Sequence, residues 1–483
     1  MYDAIIIGGG YAGLTCGVRL AKAGWHVCVV EKGRTFGGAF QTFRRGALTF
    51  DTGFHFVGGV AEGEMLHPSL VEFGLDDLPW HRMDEEFIEV HCGSDVYHLH
   101  CGYDRFAEGL ATQFGNEGEG IDALVGLMRD VADHLPETVV ADGGYENQLM
   151  QVPAKKWLEE HIGDSRLRNL LCAQAVTTDL TPDLPLYSFI QSLNSFVQHS
   201  YRLPGGGGAI TARLRHNIEA LGGEVRTGCE VQKLIDDGNG RILSARCANG
   251  DILSANLFIS TAHPALSVGL MPECPQVRGV YRRRFARMKN SRGIFTVQLA
   301  LKPGTVPYRN KAISLLGDQD LWDSDYSATA PVKNLLINYN VPQNHTDDEP
   351  LYADNVDLMT PMDYSAVEPW ADSYVGHRPA GYQAFKETKA RECIELASGC
   401  IPNLKESIVA VYTSSPLTYR DYTGTVGGSA YGVSKSASAI AGGMLSPLTP
   451  FANLLFAGQS LMLHGMLGVG MTSMLVTNIA QKM

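Results

Sequence analysis

The chain opens on an unbroken apolar run, YDAIII at residues 2–7, with no polar alternation. Such a run predicts a strand buried on both faces within a parallel sheet. LTCGVRLAKAG then places Leu14, Val18 and Leu20–Ala21 at helical spacing, and HVCVVE is a second buried strand ending in Glu31. Further on, LTFDTGFHFVGG alternates, which predicts one face carrying Phe50, Thr52, Phe54 and Phe56 and the other Asp51, Gly53, His55 and Val57. Residues from about 105 to 200 read mostly as helices; in PLYSFIQSLNSFVQHS the stripe is Leu186, Phe189, Ile190, Leu193 and Phe196–Val197, a pattern of core packing. ANLFISTAHP, GIFTVQLAL and KNLLINYNV predict strands, and AGYQAFKETKARECIELASG an amphipathic helix. PMDYSAVEPWADSYVGHR and SSPLTYRDYTGTVGGSAYG read as loops.

One run near the end, LLFAGQSLMLHGMLGVGMTSMLV, carries no charge and is long enough to cross a bilayer. Gln459, His464, two serines, a threonine and four glycines interrupt it, and such polar groups are costly in lipid. A short buried strand at NLLFAG and a terminal helix at VGMTSMLVTNIAQKM account for it better. Gly465, Gly468 and Gly470 then leave bare backbone that can touch a flat ring.

At 483 residues, two domains are expected. A net charge of −13 argues against a nucleic-acid partner, which needs a basic face. Ten cysteines without a C-x-x-C pair point to a reduced, cytoplasmic protein, and a strand starting almost at Met1 leaves no room for a leader peptide.

The candidate chemistry begins between the first strand and helix. Gly8, Gly10 and Gly13 have G-x-G-x-x-G spacing: the first for the tight turn, the second for close approach of pyrophosphate, the third for helix–strand packing. The helix N-terminus offers free N–H groups to phosphate, and Glu31, 21 residues past Gly10, stands where a carboxylate binds a ribose diol. This unit alone does not separate NAD from FAD. Gly37 and Gly38 give a second approach of backbone to the ligand. His91, Cys92, His98, His100 and Cys101 look like a metal cluster, but alternation and the Gly-Ser-Asp turn make them a hairpin, and no metal is expected. Gly205 to Gly208 are no P-loop, because no Lys-Ser/Thr follows, and no second G-x-G-x-x-G marks an NAD(P)H domain.

GGAFQTF followed by FDTGFHFVGG resembles the phytoene desaturase, carotenoid isomerase and retinol saturase family of FAD oxidoreductases, and most of all its retinol saturase branch. Desaturases usually carry Arg after the paired glycines, where this chain has Ala39. Gly458, Gln459, Gly465 and Gly468 resemble the family's glycine pattern ahead of the last helix, and Thr418 and Tyr431–Gly432 its Pro-x-Thr…Gly-x-x-Tyr-Gly stretch. The resemblance covers essentially the full chain. It implies an α/β fold with a discontinuous Rossmann-type FAD-binding domain (1–90, 200–275 and 445–483) and an α+β substrate domain (91–199 and 276–444). It implies FAD held by Gly8, Gly10, Tyr11, Ala12, Gly13, Glu31, Lys32, Gly37, Gly38, Val231, Gly458, Gln459, Gly465, Met466, Leu467 and Gly468. His55, Tyr431 and His464 are the candidate catalytic groups. The implied activity is saturation of a double bond in a conjugated polyene or isoprenoid. Isomerisation and desaturation are alternatives, a flavin amine oxidase or a non-catalytic flavoprotein more distant ones. The implied partners are an apolar small molecule and an unnamed electron donor, with peripheral membrane contact compatible with such a substrate.

Overall fold

The structure is a computed structural model that describes residues 1–135, 148–173, 177–317, 320–342 and 351–483. Its first layer is a seven-stranded sheet. The apolar runs Tyr2–Ile7 and Val27–Val30 pair in parallel, flanked on one side by Glu224–Arg226 and on the other by Ile252–Ser260. Ile252–Ser260 is long enough to serve two neighbours on its far edge. Its start pairs antiparallel with Ile242–Cys247, and its end pairs in parallel with Leu454–Phe456. Distant parts of the chain thus meet in one sheet. Helix Tyr11–Lys22 packs against both Gly206–Ala220 and the terminal helix Gly465–Ala480. The Ile, Val and Leu residues of Tyr2–Ile7, Val27–Val30 and Leu454–Phe456 are buried, which is what a parallel sheet covered on both faces requires.

A second seven-stranded sheet has the order Ile408–Ser414, Gly293–Leu301, Asn355–Met362, Leu335–Tyr339, Ala312–Leu316, Glu86–Cys92, Asp95–His100. It is antiparallel except where Ala312–Leu316 meets Glu86–Cys92. Glu86–Cys92 therefore runs through the expected junction near residue 90 and pairs wholly within this sheet. Helix Ala380–Ser398 covers one face. Helices Tyr103–Gln113, Gly118–Asp133 and Leu186–Val197 build a further core, in which Phe189 packs on Trp322 at 5.6 Å between ring centroids. The stripe on Leu186–Val197 is core, as its spacing predicts.

Two expectations are corrected. The alternating strand through residue 57 stops at Asp51: Thr42–Arg45 and Leu48–Asp51 form a hairpin, residues 52–56 are irregular, and only Val57–Gly58 resumes pairing. Backbone groups there are satisfied by side chains of the other sheet, Gln298 Nε2 donating to Asp51 O at 3.0 Å and Tyr419 Oη to Thr52 O at 3.1 Å. The segment read as a loop after Ser415 contains helix Pro416–Thr423, because Ser415 and Thr418 form a reciprocal capping box and Pro416 stands at its first position.

Candidate functional site

The nucleotide turn is built as the glycine spacing predicts. Gly8 has φ +108°, and a Cβ at Gly13 would collide with the Gly8 carbonyl oxygen, so helix and strand touch only because Gly13 has no side chain. Gly10 caps the helix with extended backbone and no side-chain hydrogen bond, leaving the first N–H groups of Tyr11, Ala12 and Gly13 without a side-chain cap. Gly37 forms a bridge with Gly10, its N–H donating to Gly9 O at 2.7 Å, and a Cβ on Gly38 would lie 3.1 Å from Gly10 Cα. Tyr11 packs its ring against Phe40 and Phe73, and its buried hydroxyl finds no protein partner.

Glu31 is buried just past the second strand. Its Oε2 accepts from Gly9 N at 2.9 Å and its Oε1 from Gly33 N at 2.7 Å. Each oxygen keeps a lone pair, so the carboxylate is fixed in orientation and still able to accept from a diol. The strand that starts at Val231 is tied to it, since Cys229 N donates to Glu31 O at 2.9 Å. Lys32 is exposed and reaches Gly424, where a Cβ would lie 2.8 Å from its Nζ.

The other end of the chain arrives beside this turn. Gly458, at φ +104°, would bring a Cβ to 3.8 Å from the Ala12 Cβ. Thr15 Oγ1 and Ser473 Oγ lie 2.8 Å apart, and Arg19 Nη1 donates to Met474 O, Thr477 Oγ1 and Asn478 Oδ1. No described helix is long and apolar enough to cross a membrane. The terminal helix starts at Gly465, earlier than its sequence pattern implies, so Met466, Leu467 and Gly468 are its first turn. That changes what the glycines do. A Cβ on Gly468 would collide with Leu463, and one on Gly470 would touch Phe73 and Ser69, so both spend their smallness on packing within the protein. Gly465, at φ +73°, faces open space, and its helix, like the opening one, has no side-chain cap.

Gly206, Gly207 and Gly208 also serve packing. A Cβ on Gly206 would strike the Asp51 carboxylate, one on Gly207 would sit 2.7 Å from Phe40 O, and one on Gly208 2.9 Å from Thr42 Oγ1. Asp51 Oδ1 accepts from Gly207 N at 2.8 Å and thereby caps a helix far along the chain.

The three candidate catalytic groups do not converge. Tyr431 and His464 do meet, their ring centroids 4.4 Å apart. His464 Nε2 donates to Thr177 O at 2.9 Å, and burial pushes its imidazole down to about 4, so it is neutral near pH 7 with Nδ1 free of a proton. Burial pushes the Tyr431 phenol well above its ordinary range, followed by the charge of Asp179, so it keeps its proton. Tyr431 lines a small cavity with Thr178, Asp179, Arg292 and Ile294. His55 lines a different one, of about 20 Å³, with Asp51, Arg202, Asn340 and Asn355. There His55 Nδ1 lies 3.3 Å from Asp357 Oδ2 without a hydrogen bond's geometry, and Asp357 Oδ1 and Gln298 Oε1 are also buried without partners. That cavity has room for one water. Burial and the neighbouring Asp357 hold the Asp51 carboxyl well above the usual carboxylate range. Both cavities are partly polar.

Sequence reasoning missed the roles of Asp51, Asp357 and Gln298. Asp51 stands in the quoted motif, and its facing position was visible; the others sit on strands or loops whose polar residues became internal only on folding.

Residues 6–68 match the model of the NAD(P)-binding Rossmann-like domain. The chain is similar to human all-trans-retinol 13,14-reductase, 23% identical over 96% of this chain and 83% of that protein. It is 24% identical to the chloroplastic prolycopene isomerase of Daucus carota, over 87% of this chain and 70% of the other. Among solved structures, cyclohexylamine oxidase from Brevibacterium oxydans superposes with a TM-score of 0.62 at 15% identity, covering 100% of this chain and 98% of that one, a likeness of fold. The sequence similarity runs through both sheets and not the nucleotide turn alone: the chain resembles retinol 13,14-reductases and prolycopene isomerases over most of its length, and its first residues match a Rossmann-type nucleotide-binding domain.

Proposed function

We propose that the protein is an FAD-dependent oxidoreductase that saturates one double bond of a conjugated polyene or isoprenoid. The observation that carries this is the similarity to retinol 13,14-reductases over 96% of the chain, which includes the substrate half. The residues fit a flavin dinucleotide. One uncapped helix start faces Gly10, Glu31 is held ready for a ribose, the Tyr11 hydroxyl is orphaned, and a second uncapped helix start opens at Gly465. The pyrophosphate would lie on the N–H groups of Tyr11, Ala12 and Gly13, the adenosine beside Glu31, Lys32 and Val231, and the ring against Gly458, Gln459 and the Gly465–Gly468 turn.

When bound, FAD supplies hydride at its ring and accepts reducing equivalents from a donor. The chain's own residues supply position and a proton. Tyr431 retains an O–H whose proton would go to the carbon next to the one that takes hydride, solvent then restoring the phenol, with neutral His464 packed against its ring. His55 faces Asp357 across a cavity with room for a water, too small for the substrate. The test is anaerobic reduction of the yellow protein followed by incubation with retinoids and carotenoids and mass analysis. A product heavier by two hydrogens is expected. An unchanged mass favours isomerisation, which the similarity to prolycopene isomerase keeps as the second candidate; loss of two hydrogens means desaturation, and peroxide release with amines an amine oxidase.

A further inference from the structure

Lys435 is a half-buried lysine whose ammonium group, among the described residues, is answered by neutral backbone oxygens. Its Nζ donates to Ser460 O at 2.7 Å and lies 3.3 Å from Gly443 O and 3.4 Å from Leu461 O. Ser460 and Leu461 belong to the loop between Gly458, which abuts Ala12, and the start of the terminal helix. The segment that carries Lys435 is strapped to that loop at further points: Gln459 Nε2 donates to Ala430 O at 3.3 Å and Val433 N to Ser460 Oγ at 3.3 Å.

The charged groups around it are committed elsewhere. Asp179 accepts from Ser434 Oγ and from Arg292 N, and Asp183 from the hydroxyls of Ser436 and Ser438. Lys289 acts on Asp183, and the Tyr431 phenol keeps its proton. On the facing loop, His464 is neutral and feels the lysine's charge as repulsion. Among the described residues, burial is the one influence that shifts Lys435, and no carboxylate offsets it. A charge partly withdrawn from water with no opposite partner is unfavourable. Here it borders the loop where the cofactor ring would lie, and the missing negative charge is one that a reduced flavin supplies.

We propose that Lys435 is the charge-compensating residue of the cofactor's redox change, taking up a proton when reduction makes the flavin ring negative. The proposal rests on the FAD assignment above. Two electrons from the reductant and one proton reach the ring, which ends one unit more negative; a second proton, from solvent, goes to Lys435 Nζ. By reciprocity, the lysine's positive charge favours the reduced cofactor by as much as reduction favours the lysine's proton. Burial pushes Lys435 down to about 7, so at pH 8 it is mostly neutral beside the oxidised cofactor and has room to accept that proton.

The experiment is reduction of the holoprotein with dithionite at pH 8 in weak buffer, with proton uptake counted and the midpoint potential measured by dye equilibration. Wild-type protein is expected to take up more than one proton per two electrons, approaching two. Lys435→Met is expected to take up one and to lower the potential by about 30 mV or more, a tenfold change in the two-electron equilibrium. Lys435→Arg, which keeps the charge, is expected to restore the potential. A lysine that merely fastens the loop would change thermal stability in Lys435→Met and leave both readouts alone, which overturns the proposal. Should that variant fail to fold, the wild-type count decides by itself: a single proton at pH 8 overturns it. A protein that binds no flavin sinks the cofactor assignment as well, an outcome distinct from a yellow protein with an unaltered potential.

Discussion

At the scale of single residues, the nucleotide turn depends on absent atoms. A Cβ at Gly13 has nowhere to go but into the Gly8 carbonyl, so Gly13→Ala must push the opening helix off the first strand. We expect a loss of about 1–3 kcal/mol, the usual cost of overpacking, together with a colourless protein; denaturant unfolding and flavin absorbance check both. Tyr431→Phe removes the retained proton but keeps the ring on His464. It should lower turnover at least tenfold with the flavin spectrum unchanged, and equal turnover would show that the proton comes from elsewhere. His464 carries a pH signature. Its folded value of about 4 lies below the ordinary 6.5, so the folded state binds fewer protons than the unfolded one and stability falls as pH drops from 6.5 toward 4. The residue is half-buried, which limits the effect to about 1 kcal/mol between pH 7 and pH 5. His464→Gln should flatten that dependence in urea titrations at the two pH values.

At the scale of elements, caps and close contacts explain where strands and helices begin. The helix Gly206–Ala220 has no cap of its own, since Gly205 supplies no side chain, and Asp51 fills the role from the hairpin. Asp51→Ala should destabilise the protein by about 1–2 kcal/mol, the range for losing a helix cap, and should free the N-terminal turn of that helix to exchange amide hydrogens faster. Asp51→Asn keeps an acceptor and sheds the cost of a buried carboxylate, so it should be milder. Most elements were legible because their patterns were long: the two opening strands, the helix at Leu186–Val197 and the strand Gly293–Leu301 all stand where periodicity puts them. Two elements were misjudged for a common reason. The alternation through Asp51–Val57 ends because Gln298 and Tyr419 take its carbonyls, and the helix after Ser415 is set by a local capping box within a Gly- and Thr-rich stretch. Side-chain-to-backbone bonds outweighed the hydrophobic period in the first case and loop-like composition in the second.

At the scale of the whole molecule, the two ends of the chain are clasped together. Arg19 donates from the opening helix to Glu72 and to three acceptors on the terminal helix. Arg19→Ala should loosen Gly465–Ala480 while leaving the second sheet unchanged, visible as faster hydrogen exchange confined to the first layer and faster release of flavin. Uniform destabilisation of both sheets would contradict this clasp. The second sheet is tied to the hairpin and to the short strand Ser200–Arg202, where Asn355 Nδ2 donates to Thr49 O at 3.2 Å and Arg202 spreads its donors over Tyr308, Arg309, Asn310, Lys311 and Asn338. This seam encloses the cavity that took His55 away from Tyr431 and His464.

The sequence by itself determined the first layer and its nucleotide turn, because hydrophobic period, glycine spacing and a following acid act over a few residues and need no partner to be read. It also determined that the terminal run was no simple apolar span, since its polar interruptions are local facts. Only the tertiary structure decided which glycines face open space and which fill contacts, that Asp51 caps a helix more than 150 residues away, and that Lys435 lies against the loop before the last helix. Those outcomes depend on which surfaces meet when two sheets close on each other, and a side chain's charge and freedom are set by neighbours that the chain order does not name.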